Sequence, residues 1–115
     1  DWFGDLKQAR VFQWHYESFE LPPGAQLLAG SQACPRQAFA IGPHLGMQFH
    51  IEVDARKIDI WSHEDNALWK ADLQRGEPAV QDGPTQRALA ADCLPEHQAL
   101  ADRLYARWLS AVPGN

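Results

Sequence analysis

The residues best suited to chemistry in this chain sit in one short run, Gly46-Met47-Gln48-Phe49-His50-Ile51-Glu52-Val53, an apolar strand pattern ending on a histidine and a glutamate two positions apart. In extended backbone, residues i and i+2 leave the same face about 6.5 to 7 Å apart, so a carboxylate there reaches an imidazole; on a helix the same positions diverge. Such a pair can do proton-transfer work. Glu52 would hold one ring nitrogen and stabilise the imidazolium, while the other nitrogen of His50 moves the proton. The spacing alone fits better a half-buried strand histidine with an unrelated acid beside it.

Other chemistries find less support. Zinc deaminases also use His-x-Glu, but they require a later Pro-Cys-x-x-Cys, and the only downstream cysteine stands in Asp92-Cys93-Leu94-Pro95. A structural zinc site drawn from His15, His44, His50 or His63 lacks the paired short spacings of such sites, so no metal and no cofactor is expected. Cys34 and Cys93 lie far apart without Cys-x-x-Cys spacing, and both read as plain thiols.

The elements that must position His50 and Glu52 are short. At 115 residues and 45% apolar content the chain is one domain at most, with enough hydrophobic side chain for a real core. Val11 to Tyr16, Gln26 to Ala29, Gln37 to Ile41 and Met47 to His50 read as four strands, divided by Pro22-Pro23-Gly24, by Gly30 to Pro35 and by Gly42-Pro43. The spacings are too short for crossover helices, so this region is expected to be antiparallel or meandering.

After Val53 the period changes. Asp54 can cap a helix with Ile58 and Trp61 on one face, and Leu68 and Leu73 lie on a continuation ending near Gly76. Glu77 to Gly83 reads as a loop, Pro84 as the first residue of a short helix to Ala91, and Pro95 as the opening of another. In that last helix Leu100, Leu104 and Trp108 recur at spacing four, flanked by Ala101, Tyr105, Leu109 and Val112, a broad apolar stripe that must pack on something. Its aromatic residues, like Trp61 and Trp69, read as packing groups.

Charge and hydropathy exclude several partners. Fifteen acids against ten scattered Lys and Arg leave a formal charge of −5 and no basic stripe for phosphates, so no nucleic acid is expected. No apolar run approaches the ~20 residues that span a bilayer, and the N-terminal Asp1-Trp2-Phe3-Gly4-Asp5 has no secretory character, so a cytoplasmic protein is expected. The abrupt start and the apolar helix faces, larger than a small sheet covers, read as those of a fragment.

Gln48-Phe49-His50-Ile51-Glu52 resembles the Gln-Phe-His-Pro-Glu motif of class I glutamine amidotransferases, particularly those similar to the amidotransferase half of GMP synthase. Trp14-His15-Tyr16-Glu17-Ser18-Phe19 resembles the family's His-x-Asp segment, and Leu21-Pro22-Pro23-Gly24-Ala25 with Leu28-Ala29-Gly30-Ser31 resembles the turn and strand after it; Gln37-Ala38-Phe39 precedes the motif as in the family. The resemblance runs in order from about Val11 to Val53 and is diffuse beyond Gly76. Ile51 stands where proline is usual, a change in backbone stiffness that leaves both catalytic side chains in place. The family's nucleophile, a cysteine in Gly-x-Cys-x-Gly, has no counterpart, since neither Cys34 nor Cys93 has the elbow glycines.

The resemblance implies an α/β fold, the C-terminal portion of a flavodoxin-like domain, spanning residues 1 to 115, with the parallel sheet and the nucleophile elbow in a missing N-terminal half. It implies His50 and Glu52 as catalytic residues and glutamine as substrate. It also implies that the backbone around His15, Tyr16 and Glu17 helps hold that substrate, although His15 reads equally as a structural strand histidine. The chain by itself is expected to be inactive and to self-associate over its open face, and the ammonia acceptor to be water or the substrate of a separate synthetase subunit. A γ-glutamyl amide or peptide hydrolase of the same fold, and a non-catalytic binding module, are the alternatives.

Overall fold

The computed structural model describes residues 2–114; the terminal Asp1 and Asn115, which the expected 1 to 115 span includes, lie outside the described residues. The chain divides into two compact units, one running through Ile51 and resuming at Glu96, the other comprising Glu52–Pro95.

Among the described residues the first unit carries three strands, β1 (Gln26–Ala29), β2 (Ala38–Ile41) and β3 (His44–Met47), in an antiparallel sheet of order β1-β2-β3. Its turns follow from glycine and proline. Ala25 N donates to Pro22 O at 3.0 Å with Gly24 at φ 79°, the type II turn that proline followed by glycine favours. Ile41 pairs with His44 across Gly42-Pro43, and Gly42 has the positive φ (55°) that a two-residue II′ hairpin needs at its first central position. Phe39 pairs with Gly46, where any Cβ would lie 2.4 Å from the Phe39 ring.

Two expected strands are corrected. The strand expected over Met47 to His50 instead covers His44–Met47, and His50 takes part in an isolated antiparallel bridge with Phe12. Val11 to Tyr16 forms no strand beyond that bridge; two positions past the bridged Phe12, the carbonyl of Trp14 meets a side chain. Phe12 O accepts from His50 N at 2.9 Å, Trp14 O from the His50 ring, and Glu17 O, just beyond, from the Gln48 amide.

The core of this unit joins Trp2, Ala38, Phe49 and Ile51 to Leu100, Ala101 and Leu104. Those last three belong to α3 (Gly83–Ser110), a single 28-residue helix with Pro95 inside it, where two helices were expected. Proline lacks an N–H to give the carbonyl four residues back, and the helix continues past it. The stripe is narrower than expected: Leu104 is 2% exposed, whereas Tyr105, Trp108 and Leu109 stand at 46 to 49%.

The second unit is made by caps. Asp54 Oδ1 accepts from Lys57 N at 2.8 Å to open α1 (Ala55–Trp61), and Asn66 Oδ1 accepts from Trp69 N at 2.9 Å to open α2 (Ala67–Arg75). Gly76, left-handed at φ 72°, closes α2. Trp69, with its indole N–H on Gln81 O at 3.0 Å, is the buried residue of α2; the expected Leu68 is exposed. Asp82 accepts from Thr85 N at the start of α3, a hydrogen bond that holds its carboxyl below the ordinary value. The backbone of Gly83 lies so near Ser62 O that a Cβ would meet it at 2.3 Å. Among the described residues no helix is long and apolar enough to cross a membrane.

Candidate functional site

His50 is placed by its backbone more than by regular structure. Its neighbours Phe49 and Ile51 are both buried, 6% exposed, and anchor it from either side. Its N–H donates to Phe12 O, and its carbonyl accepts from His97 Nε2 at 2.7 Å. The ring meets the Phe12 ring edge-on, with centroids 6.3 Å apart, and Nε2–H donates to Trp14 O at 3.2 Å. A carbonyl can only accept, so Nε2 carries a proton in this arrangement. The half-buried His50 is one of the residues, with Trp14, His15, Tyr16, Glu17 and Gln48, that line an open concavity of about 510 Å³.

Gln48 fastens the opposite wall. Its Nε2 donates to Glu17 O at 2.9 Å and its Oε1 lies 3.3 Å from Cys34 Sγ, so the amide has a partner at each end. Cys34 sits in a loop closed by Ser31: Ser31 N donates to Cys34 O at 2.8 Å, and Cys34 N to Ser31 Oγ at 3.1 Å. Both cysteines are free thiols, as expected. Arg36 Nε donates to Phe19 O at 2.6 Å and the Phe19 ring packs edge-on against Phe39 at 4.9 Å, which ties the far end of the segment to β2.

His15 uses both ring nitrogens within its own segment. Nδ1 lies 2.9 Å from Glu17 O and Nε2 lies 3.0 Å from Gln13 Oε1, two acceptors that a ring N–H can reach. The ring therefore shapes the 13 to 17 turn that forms one wall. Tyr16 and Glu17 are exposed at the concavity, and Glu52 is exposed two residues beyond His50. His50, His15, Tyr16 and Glu17 are thus brought together around one depression in one unit. No cluster of three or more metal-ligating side chains exists among the described residues.

Three residues at this site escape a spacing argument. Trp14 acts through its carbonyl, which no side-chain pattern reports. Gln48 is visible only as part of its motif. His97 lies one turn ahead of Leu100, Ala101 and Leu104 on the same face of α3, so a polar residue extending an apolar stripe was the signal available.

In structure the chain aligns over 95% of its length with a glutamine amidotransferase from Methylobacillus flagellatus, at 27% identity and a TM-score of 0.80. It also aligns over 88% of its length with a glutamine amidotransferase from Thermotoga maritima, at 30% identity and a TM-score of 0.69. The chain is built like part of a class I glutamine amidotransferase domain. It spans 45% and 41% of the lengths of those two proteins, whose fold is flavodoxin-like, and itself combines short antiparallel strands with following helices. No family model and no curated protein matches the sequence. Two expectations drawn from the motif resemblance accordingly hold: the family likeness and the α/β class.

Proposed function

We propose that the whole protein hydrolyses glutamine and delivers ammonia through a Cys-His-Glu triad, with His50 and Glu52 supplied by this chain and the cysteine by residues outside it. The observation that supports the reading most is the His50 ring on the rim of a concavity, in a chain whose structural neighbours are glutamine amidotransferases. In the proposed reaction the thiolate attacks the carboxamide carbon and its electron pair forms the C–S bond, leaving a tetrahedral oxyanion. His50 as imidazolium gives a proton to the amide nitrogen, the C–N bond breaks, and ammonia leaves a thioester. Neutral His50 then takes a proton from water as the oxygen attacks the thioester carbon. Glutamate departs and the thiolate returns.

Glu52 is assigned to Nδ1, where a carboxylate orients the ring and stabilises the cation. Nε2 is the working nitrogen, and Trp14 O is its resting partner, displaced when the thiol and substrate arrive. The backbone of His15, Tyr16 and Glu17 is assigned to holding glutamine, which accords with the local use of both His15 nitrogens. The proposal includes a synthetase subunit or water as acceptor, a cytoplasmic setting, and self-association of this chain when it stands alone.

The test is ammonia release from glutamine by the full-length protein beside its His50→Ala variant. Loss of about 10²- to 10⁴-fold, the scale of a general acid–base group, supports the triad, whereas equal rates overturn it. The isolated chain should release none. The concavity that Tyr16 helps to line is open, which is the observation that keeps a leaving amine larger than ammonia as a second reading. A full-length protein that cleaves γ-glutamyl amides faster than glutamine would establish the hydrolase reading instead.

A further inference from the structure

A histidine that the proposed chemistry does not use is buried behind the one that it does. His97 on α3 is 3% exposed, and its Nε2 lies 2.7 Å from the carbonyl oxygen of His50, 47 residues away in sequence. The carbonyl can only accept, so His97 Nε2 carries a proton and Nδ1 is the nitrogen left over. That Nδ1 is buried with no hydrogen-bond partner among the described residues. A polar ring on the apolar stripe of Leu100, Ala101 and Leu104 loses its water and regains one hydrogen bond, so packing alone would favour an apolar side chain. What the imidazole adds is a donor aimed at residue 50.

We propose that His97 is a positioning residue: by capturing the His50 carbonyl it fixes the peptide plane of residue 50 and so the direction of the His50 ring toward the concavity. The backbone of residue 50 is then held at both polar atoms, by Phe12 O on its N–H and by His97 on its carbonyl. Freeing the carbonyl lets that plane rock, which carries the ring off Trp14 O and off its edge contact with Phe12. Displacements of about 1 Å at a reacting group can cost on the order of 100-fold in rate, so a rigid second point of attachment is worth an unsatisfied Nδ1. The catalytic meaning of this role rests on the proposed function of His50, while the geometry does not.

The test is NMR of the full chain, wild type beside His97→Phe and His97→Gln. Phenylalanine keeps a planar apolar body without the donor; glutamine restores an N–H at nearly the same reach. The wild type should show an exchange-protected His97 Nε2 proton with a nuclear Overhauser contact to the Ile51 amide. His97→Phe should keep the amide pattern of β2 and β3 but lose the contacts of the His50 ring with Phe12 and Trp14, and His97→Gln should recover them. A folded His97→Phe with those contacts intact overturns the proposal, since Phe49 and Ile51 would then suffice. If His97→Phe does not fold, the wild type and His97→Gln decide. An unprotected Nε2 proton in the first, or lost ring contacts in a folded second, overturns it. These measurements read geometry alone, so a full-length protein inactive on glutamine would remove the glutaminase reading and leave the placement of the His50 ring untouched.

Discussion

The two units are held by different kinds of interaction. In the Glu52–Pro95 unit each helix begins at a side chain three residues before the amide it accepts from: Asp54 for Lys57, Asn66 for Trp69 and Asp82 for Thr85. In the unit that bears His50, the decisive hydrogen bonds join residues 31 to 47 positions apart: Glu17 to Gln48, Trp14 to His50 and His50 to His97. Local capping can be assigned from a handful of adjacent residues. A site assembled from distant backbone carbonyls cannot, because every amino acid has the same carbonyl.

The sharpest way to break this contrast is to remove packing from the site-bearing unit. Leu104→Ala deletes its most deeply buried large side chain and is expected to cost about 2 to 5 kcal/mol in denaturant unfolding. Trp108→Ala, one turn along the same helix but 49% exposed, should stay within about 0.5 kcal/mol. Equal losses would mean that the stripe is as broad as its sequence spacing implies.

A smaller effect probes the capped unit. Asn66→Ala removes the side chain that receives Trp69 N and should cost about 1 kcal/mol, with Asn66→Asp close to neutral. No measurable loss would show that α2 is held by the burial of Trp69 rather than by its cap.

The smallest effect concerns acid. Asp82 is held below the ordinary carboxylate value, first by its hydrogen bond with Thr85, so its contribution is complete above the unfolded-state value near pH 4. It fades as pH falls through the lower folded-state value. Asp82→Asn should keep the cap and flatten the stability profile below about pH 4, while Asp82→Ala should lower stability at neutral pH as well. An unchanged acid limb in Asp82→Asn would remove Asp82 from the pH dependence.

Much was legible where chemistry is local. Pro23-Gly24 and Gly42-Pro43 marked their turns, Asp54 marked a helix start and Gly76 a helix end, each because the residue type itself restricts the backbone. The ordered run around Gln48-Phe49-His50-Ile51-Glu52 pointed to the family, and the solved structures agree. Pro95 was misleading, because proline suits the first turn of a helix as well as an interior position that tertiary packing sustains. Val11 to Tyr16 was misleading too: its β-prone side chains are real, but the groups that bond its carbonyls lie on His50 and, just past its end, on Gln48.

The amino-acid sequence by itself determined the family likeness, the helix start at Asp54 and the helix end at Gly76, the turns and the identity of the proton-transferring candidate, since each depends on side-chain type at short spacing. The tertiary structure alone decided that His50 Nε2 meets Trp14 O, that Gln48 clasps Glu17, and that His97 stands behind residue 50. Those contacts close over 31 to 47 residues through backbone carbonyls, which carry no sequence signal until packing of the core sets the distance.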